Sequence, residues 1–283
     1  MSRSNRPRAT NNLPAERYQG RASFGTEPPP KEKRKGMVEE TLAQISNVLT
    51  TMGIIQEQSK STFFPTQLET LDNNASPGHT FPNTKVRYGD TFSLTWQVLK
   101  TRPDYLHRTA VLNCASDVEL AGGWRHRFGT TQEDALCYSS TLWPTLDQWK
   151  EKYPWRTVVQ RKDWATVSVL SVAALACSSL VPDKSSKKRA TGEMRMKLDK
   201  DVETIKERFR MALRMAARQD KSVLMLAALG CGVWKCPPKQ VAELLRECLG
   251  EAEFAGWFEE IWIGIYDEAV FRIWEEVFGG DAG

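Results

Sequence analysis

Two short runs of apolar residues each lead into a glycine-rich turn. Ala110–Ala115 precedes Gly122-Gly123, and Ser222–Leu229 precedes Gly230-Cys-Gly232. Continuous apolar runs of this length are typical of strands that are buried on both faces of a parallel sheet. A helical pattern follows each turn, so the backbone amides of the turns could approach a phosphate group closely. The two segments predict a cleft for a dinucleotide-like ligand at the carboxyl edge of the sheet.

Strand and helix patterns alternate along the rest of the chain. Helices are predicted at residues 37–52, 90–99, 132–142, 192–218, 238–249 and 270–278, and further strands at 84–88, 164–175 and 257–266. This alternation indicates an α/β fold in which helices cover both faces of a mostly parallel sheet. We expect one domain at residues 36–283, preceded by a tail at residues 1–35.

The positive charge is concentrated in this tail. Residues 1–35 contain nine Lys or Arg residues against three acidic ones, whereas the net charge of the whole chain is +4. The remainder is therefore slightly acidic, and its composition does not indicate a nucleic-acid-binding domain. The tail lacks periodicity and is predicted to be flexible. Its basic run Lys31–Lys35 could be a solvated linker, a nuclear address or a weak contact to an anion.

The pattern of cysteines and the absence of long apolar segments suggest an intracellular protein, either nuclear or cytoplasmic. No apolar run reaches the ~20 residues of a membrane helix, and the chain does not start like a secretory signal. The six cysteines show no Cys-x-x-Cys spacing and only three histidines occur, which argues against a zinc site. We expect the cysteines to be small buried hydrophobic residues. Cys231 is an exception, because a thiol at a glycine turn before a helix could have a lowered pKa.

An acidic pair follows the first glycine turn. Glu133 and Asp134 come after Thr131 and Gln132 at the predicted start of a helix. Adjacent carboxylates suit the cleavage of a glycosidic bond, in which one acid protonates the leaving oxygen. The same run fits a capping box between Thr131 and Asp134, because acidic side chains favour helix N-termini. The residues alone leave both interpretations open.

Asn113 and Trp234 also have a binding and a structural interpretation. Asn113 ends its strand, so its amide could point into the crevice at the sheet edge or bind the backbone of a loop. Trp234 could stack on a sugar or a base, or it could be a core residue beside a tight strand-to-helix turn.

These motifs together resemble the microbial-type poly(ADP-ribose) glycohydrolases, a branch of the macrodomains, and the fungal members most closely. That family has a Val-Leu-Asn-Phe-Ala-Ser strand, a Gly-Gly-Gly loop, a Gln-Glu-Glu catalytic run and a final Leu-Gly-Ala-x-Gly-Cys-Gly-x-Phe-x-Asn-Pro-Pro segment. The matching segments here are Val111–Ser116, Gly122-Gly123, Gln132-Glu133, Ser139–Leu142, Val167–Ala174, Ala228–Trp234 and Pro237-Pro238.

The resemblance implies a macrodomain-like α/β/α sandwich with a mixed, mostly parallel central sheet, whose crevice holds ADP-ribose or an ADP-ribosylated substrate. It implies no cofactor and no metal. By the same resemblance, Glu133 contacts the distal ribose and Asp134 takes the place of the general acid. The residues implied to bind the ligand are Asn113, Gly122, Gly123, Gln132, Gly230, Cys231, Gly232, Val233 and Trp234.

The chain departs from the family pattern at several positions. Asp134 replaces the second glutamate, which withdraws the carboxylate by about 1.5 Å and can lower the rate on the order of a hundredfold. Ala121 replaces the first loop glycine, where a methyl group can obstruct a close approach, and Leu120 replaces a proline. Residues 156–164 look shorter than the family's stretch. These departures favour ADP-ribose binding over hydrolysis of the polymer.

Three hypotheses follow for the function. The leading one is an ADP-ribose-binding hydrolase that cleaves the glycosidic bond of an ADP-ribosyl derivative. The alternative is a reader that binds ADP-ribose without turnover. A third hypothesis is nucleic-acid contact through the basic residues at 1–35 and 184–189, and there is no indication of a membrane partner.

Overall fold

The structure is a computed structural model that describes residues 28–51, 61–80, 82–147, 159–161, 167–177, 179–183 and 193–279. Its helices are α1 (Lys31–Thr51), α2 (Thr91–Thr101), α3 (Gln132–Tyr138), α4 (Leu142–Asp147), α5 (Asp199–Ala217), α6 (Pro238–Leu249) and α7 (Glu268–Gly279). Its strands are β1 (Ser61–Phe63), β2 (Asn83–Tyr88), β3 (Thr109–Ala115), β4 (Val159–Arg161), β5 (Ser168–Ala173), β6 (Leu180–Pro182), β7 (Met194–Met196), β8 (Val223–Ala227) and β9 (Glu260–Ile265).

Five strands form the central sheet in the order β2-β9-β8-β3-β5. All the described pairings within this sheet are parallel, so the carboxyl ends of its strands lie at one edge. Within β3, Ala110 lies opposite Ser168 of β5 and Leu224 of β8. The pairs β1–β4 and β6–β7 are short antiparallel ladders outside this sheet. The predicted α/β fold with a mostly parallel sheet is confirmed.

Alternate residues of the central strands face two different helical layers. Leu112 of β3 belongs to the larger apolar cluster, which contains Phe209 of α5 and Leu245 of α6. Its neighbour Val111 belongs to a second cluster with Leu94 of α2. Strands covered in this way bury apolar residues on both faces, which explains their continuous hydrophobic sequences. The layers are those of an α/β/α sandwich.

Helix α1 begins at Lys31 rather than near residue 37, which corrects the predicted start of this helix. Arg34 donates from Nε to the carbonyl oxygen of Phe128 at 2.7 Å, and Lys31 Nζ lies 5.9 Å from the centre of the Phe128 ring. The basic run Lys31–Lys35 is therefore helical and contacts the loop before α3. The predictions for residues 1–27, for the basic loop at 184–189 and for most of the stretch at 156–164 lie outside the described residues.

The predicted helix at residues 132–142 is two helices. Helix α3 ends at Tyr138 and α4 begins at Leu142. The hydroxyl group of Ser140 donates to the carbonyl oxygen of Leu136 at 2.7 Å, and the Leu142 amide donates to the same hydroxyl at 3.1 Å. Serine side chains that bind nearby backbone groups in this way interrupt helices. In the described part of the chain, no helix is both long and apolar enough to cross a bilayer.

Candidate active site

Asn113 joins the central sheet to the acidic pair. Its side chain is fully buried at the carboxyl end of β3. Its Nδ2 donates to Ser171 Oγ at 2.9 Å and to Glu133 Oε1 at 3.1 Å. Its Oδ1 is buried and has no hydrogen-bond partner among the described residues. An unpartnered buried acceptor is costly, so this oxygen is available to a donor from a ligand.

Glu133 is held from two sides in the protein interior. Its side chain is buried, Oε2 accepts from the amide of Ser116 at 2.8 Å, and Oε1 accepts from Asn113. Burial raises the pKa of Glu133 to about 8, although the hydrogen bonds from the two donors lower it. The nearby carboxylates of Asp134 and Glu119 act in the same direction as burial. Neutral pH therefore favours a protonated Glu133 in the unliganded site.

Asp134 closes the capping box of α3. Its Oδ2 accepts from the amide of Thr131 at 2.9 Å and from the Thr131 hydroxyl at 2.6 Å, while its own amide donates to that hydroxyl at 3.2 Å. Oδ1 has no partner of normal hydrogen-bond geometry among the described residues, although the Gly123 amide is near enough to lower the pKa. Burial has the larger effect and raises the pKa of Asp134. The capping interpretation is confirmed, and the capping box uses only the Oδ2 oxygen of Asp134.

Gln132 positions α3 against the sheet. Its Oε1 accepts from the amide of Cys114 at 2.8 Å, and its Nε2 donates to the carbonyl oxygen of Leu112 at 2.8 Å and to Thr91 Oγ1 at 3.2 Å. Both ends of this side-chain amide are thus engaged by the protein. Its predicted role as a ligand-binding residue remains a prediction, and the structure gives it a positioning role.

The first glycine turn lies directly against both carboxylates. Gly122 has a φ of +62°, and a Cβ at this position would stand 3.1 Å from Asp134 Oδ1 and 3.2 Å from Glu133 Oε2. Ala121 has a φ of +60°, a left-handed conformation that favours glycine. The alanine methyl group is buried in an apolar cluster with Trp124 and Leu136. Position 122 therefore favours glycine, because any side chain there would crowd both carboxylates.

The second glycine turn contains the remaining predicted binding residues. Gly230 has a φ of +78°, and Cys231 is buried. Gly232 is exposed, and a Cβ there would meet nothing within 4 Å. Val233 is 65% exposed, whereas Trp234 is half-buried and packs against the larger apolar cluster. Helix α6 begins only at Pro238, so the amides of residues 230–234 belong to the turn before the helix.

A disulfide bond joins the second turn to the end of β5, which corrects the prediction that the cysteines are only buried hydrophobic residues. Cys177 and Cys236 are bonded, with their Cα atoms 5.0 Å apart. The Cys177 amide also donates to the carbonyl oxygen of Trp234 at 3.0 Å. The other four cysteines are free. Cys137, Cys231 and Cys248 are buried, as expected, and Cys114 is partly buried.

The suggestion that Cys231 has a lowered pKa is wrong. Burial raises the pKa of its thiol, and the neighbouring thiol of Cys114 raises it further. The second turn follows β8, which pairs directly with β3. In addition, the amide of Ala174 donates to the carbonyl oxygen of Ala115 at 2.9 Å. The ends of β3, β5 and β8 thus meet where the sequence predicts a cleft.

Within the described residues, no group of three or more His, Cys, Asp or Glu side chains is arranged to hold a metal ion. The two site carboxylates instead accept hydrogen bonds from backbone amides, a hydroxyl group and a side-chain amide. Sequence analysis had assigned no role to three neighbours of these groups. They are Ser116, whose amide binds Glu133, Ser171, which binds Asn113, and Arg127, whose charge acts on Asp134.

The chain resembles known proteins both in sequence and in fold. The family model of the microbial-type PARG catalytic domain matches residues 38–170. The crystal structure of poly(ADP-ribose) glycohydrolase from Thermomonospora curvata is 19% identical, with a TM-score of 0.62, and the match covers 87% of this chain and 99% of that one. A structure of the same enzyme bound to the inhibitor ADP-HPD is 18% identical, with a TM-score of 0.60 and the same coverage.

A second enzyme with this fold comes from another bacterium. The structure of poly(ADP-ribose) glycohydrolase from Deinococcus radiodurans in complex with ADP-ribose is 20% identical, with a TM-score of 0.55, over 82% of this chain and 97% of that one. A search of curated proteins found no match. The chain therefore has the macrodomain-like fold of the poly(ADP-ribose) glycohydrolases, and its residues 38–170 carry the sequence pattern of the microbial-type PARG catalytic domain.

Proposed function

We propose that this protein binds ADP-ribose and hydrolyses the glycosidic bond of an ADP-ribosyl derivative. The observation that carries the proposal is the meeting of two buried carboxylates, Glu133 and Asp134, with the Gly122 turn at the edge of the sheet where β8 also ends. Related structures with ADP-ribose and with ADP-HPD support this choice of ligand.

Glu133 is suited to orient the distal ribose. Donors from Ser116 and Asn113 fix the two carboxyl oxygens. In the protonated form, which neutral pH favours, one Glu133 oxygen can donate a hydrogen bond to a ribose hydroxyl group and the other can accept one. The unpartnered Oδ1 of Asn113 can accept another. A sugar with adjacent hydroxyl groups therefore meets two fixed acceptors and one fixed donor.

Asp134 is suited to act as the acid. Burial raises the pKa of this carboxyl, which favours the protonated form, and its unpartnered Oδ1 faces the Gly122 turn. The proton passes to the glycosidic oxygen while the bond from that oxygen to the anomeric carbon breaks. Water then adds its hydroxyl group to that carbon, and its remaining proton returns to the Asp134 carboxylate.

The second turn is suited to hold the diphosphate. The open space at Gly232 lets an anion approach the amides of this turn, whereas Gly230 makes room for Cys236, whose Sγ would stand 2.9 Å from a Cβ at position 230. Trp234, which is half-buried beside them, offers a ring face to a sugar. These assignments of Gly230–Trp234 follow the family resemblance.

One observation favours a reader without turnover as the second candidate. Both donors of Thr131 hold Asp134 Oδ2, so the carboxylate cannot advance toward a substrate without opening the capping box. The side chain is also one methylene shorter than the glutamate of the family pattern. A protein with this geometry could keep the affinity for ADP-ribose and lose the hydrolysis.

Two measurements separate these candidates. Calorimetry with ADP-ribose tests binding, and chromatography of ADP-ribosyl conjugates after incubation tests turnover in the parent protein, in Asp134→Asn and in the exposed control Asp199→Asn. A hydrolase loses turnover only in Asp134→Asn, which still binds ADP-ribose. A reader gives heat in all three proteins and no product. The absence of heat at millimolar ADP-ribose would contradict both candidates.

A further inference from the structure

Segment 230–236, which contains the second glycine turn, is tied to the far side of the central sheet. It follows β8, whereas its partner Cys177 follows β5, and β3 lies between these two strands. Cys236 is bonded to Cys177 through the disulfide, and the Cys177 amide donates to the carbonyl oxygen of Trp234 at 3.0 Å. Both contacts use Cys177, so one residue on the β5 side holds two positions of the segment.

The backbone of this segment is in an unfavourable conformation at its end. Lys235 has a φ of +57°, a left-handed value that is unfavourable for a residue with a Cβ and persists only where the surroundings enforce it. The amides of Lys235 and Cys236 donate to the carbonyl oxygens of Gly232 and Gly230 at 3.1 and 3.0 Å, but these bonds lie within the segment and move with it. The Lys235 side chain is exposed, so its packing does not enforce the conformation. The disulfide at the next residue connects this strained end to the rest of the protein.

The amides proposed to hold the diphosphate lie directly before the residues that Cys177 holds. Gly232 and Val233 are exposed, and a Cβ at Gly232 would meet nothing within 4 Å. Trp234 and Cys236, which follow them, make the contacts to Cys177. Amides bind an anion well where the backbone already holds them in a converging arrangement before the ligand arrives. The disulfide is therefore placed to fix the arrangement of these amides.

We propose that the Cys177–Cys236 disulfide is a redox switch for ligand binding, in which the oxidised protein binds ADP-ribose and the reduced protein binds it more weakly. The inference rests on the proposed binding of ADP-ribose. The family pattern has Asn before Pro-Pro, whereas this chain has Cys236 there, so the resemblance does not imply the bond. Once the bond is broken, segment 230–236 occupies other conformations for part of the time, and the affinity falls with the fraction of molecules that remain competent.

The reduction is an exchange between a dithiol and the protein disulfide. The dithiol supplies two electrons and two protons, the bond between the two sulfur atoms breaks, and each becomes a thiol while the dithiol closes to its own disulfide. Cys177 is 8% exposed and Cys236 is 1% exposed, so a reductant reaches the sulfur atoms only when segment 230–236 moves away. Bound ADP-ribose holds the amides of this segment and opposes that movement. The ligand and the intact disulfide therefore favour one another.

The first test is calorimetry with ADP-ribose on the oxidised parent protein and on the protein reduced with dithiothreitol. A thiol titration verifies the two states, with four free thiols before reduction and all six cysteines free after it. We expect reduction to raise Kd about tenfold. The double variant Cys177→Ser with Cys236→Ser should show the weaker affinity with or without reductant. Cys248→Ser is the matched control, because this buried cysteine is free and lies in α6, and it should keep the response of the parent protein.

The second test is the redox equilibrium of the parent protein in mixtures of reduced and oxidised dithiothreitol. Because the coupling between two equilibria is reciprocal, saturating ADP-ribose should raise the ratio of reduced to oxidised reagent at half-reduction by the same factor by which reduction raises Kd. Near-ultraviolet circular dichroism of the same samples reports whether the tertiary structure is retained. We expect the signal to persist after reduction.

Each other outcome counts against the switch. Equal affinity in the two redox states, or six free thiols before reduction, would overturn it and leave the proposed binding intact. Loss of the near-ultraviolet signal on reduction would also overturn it, because the bond would then support the whole fold and not one segment. The absence of heat in both states would contradict the proposed binding as well, so the two failures are distinguishable.

Discussion

Thr131 binds one oxygen of Asp134, and the other has no partner of normal hydrogen-bond geometry among the described residues. The amide and the hydroxyl group of Thr131 donate to Asp134 Oδ2 at 2.9 and 2.6 Å, whereas Oδ1 faces Gly122. A single carboxyl group thus caps helix α3 with one oxygen and keeps the other buried against the first glycine turn. The structural and the chemical interpretations of the Thr131–Asp134 run are therefore compatible, because they use different oxygens.

Thr131→Val tests the structural half of this arrangement. The variant loses the hydroxyl group that caps α3, and we expect the free energy of unfolding to fall by about 1 kcal/mol in denaturant titrations. The pKa of Asp134 should rise, because the Thr131 hydroxyl is among the donors that lower it. Thr130→Val, at an exposed neighbouring position, is the control and should lie within about 0.5 kcal/mol of the parent protein. Equal stability of the two variants would contradict the capping role.

Glu133 should make the protein less stable as the pH rises. Its folded pKa of about 8 lies above the ordinary value of 4.5, so the folded state binds the proton more tightly than the unfolded state. Stability then falls with increasing pH between these two values and levels off above pH 8. Glu133→Gln removes this contribution, although Asp134 retains a smaller one of the same sign.

The measurement is the free energy of unfolding of the parent protein and of Glu133→Gln at several pH values from 4 to 9, a range chosen to bracket the pKa of about 8. We expect the variant to gain stability relative to the parent protein as the pH rises. Asn113 can rotate its amide to pair with the new side chain, since its Oδ1 has no partner among the described residues. A constant difference at all pH values would show that burial does not raise the pKa of Glu133.

Gly232→Ala should lower the affinity for ADP-ribose without changing the stability of the protein. The added methyl group meets nothing within 4 Å, so we expect the thermal unfolding of the variant to match that of the parent protein. The same methyl group would occupy the space through which a diphosphate approaches the amides, and the affinity for ADP-ribose should fall at least about tenfold, or 1.4 kcal/mol. Gly36→Ala, in the open environment of α1, controls for a general effect of the substitution. Unaltered affinity in Gly232→Ala would remove the second turn from the site.

The Cys177–Cys236 disulfide should contribute strongly to stability. The bonded residues are 59 positions apart. A cross-link that closes a loop of this length lowers the entropy of the unfolded chain and stabilises the folded state by about 4 kcal/mol. The double variant Cys177→Ser with Cys236→Ser should lose stability of this order in denaturant titrations without reductant. A thiol reductant should destabilise the parent protein and leave the double variant unaffected. Six free thiols in the parent protein without reductant would show that the bond is absent.

Arg214 anchors the segment before β2 to helix α5. It pairs with Glu253 at 2.7 Å and donates to the carbonyl oxygen of Leu68 at 3.0 Å, and both charged side chains are largely buried. Arg214→Met leaves the Glu253 charge without its partner and should lower the free energy of unfolding by about 3–5 kcal/mol. Arg272→Met, which breaks exposed pairs with Glu268 and Glu275, should change it by less than about 1 kcal/mol. Equal effects would contradict the anchoring role.

Local patterns were sufficient for the elements that lie next to the site. The apolar runs at Ala110–Ala115 and Ser222–Leu229 correspond to β3 and β8, because strands buried on both faces require continuous apolar sequence. The capping box was likewise predictable, since its partners are three residues apart. The family resemblance then related these segments to one ligand.

Contacts between distant residues could not be predicted in this way. The early start of α1 depends on Arg34, which binds a carbonyl group 94 positions away. The disulfide joins two turns that become neighbours only because β5 and β8 pair with β3 on either side. Arg127 was overlooked for a similar reason, because an arginine in a polar loop has no local signature until the chain folds it over Gly123.

The order of strands in the sheet also constrains when the site can be assembled. Both carboxylates follow β3, yet the neighbours of β3 are β5 and β8, which the ribosome completes later. A nascent chain that ends before β8 has its acidic pair but not its second turn, and the long sequence separation of these pairings makes their formation slow. The proposed binding site can therefore be completed only late in biosynthesis, after β8 and the turn that follows it have been made.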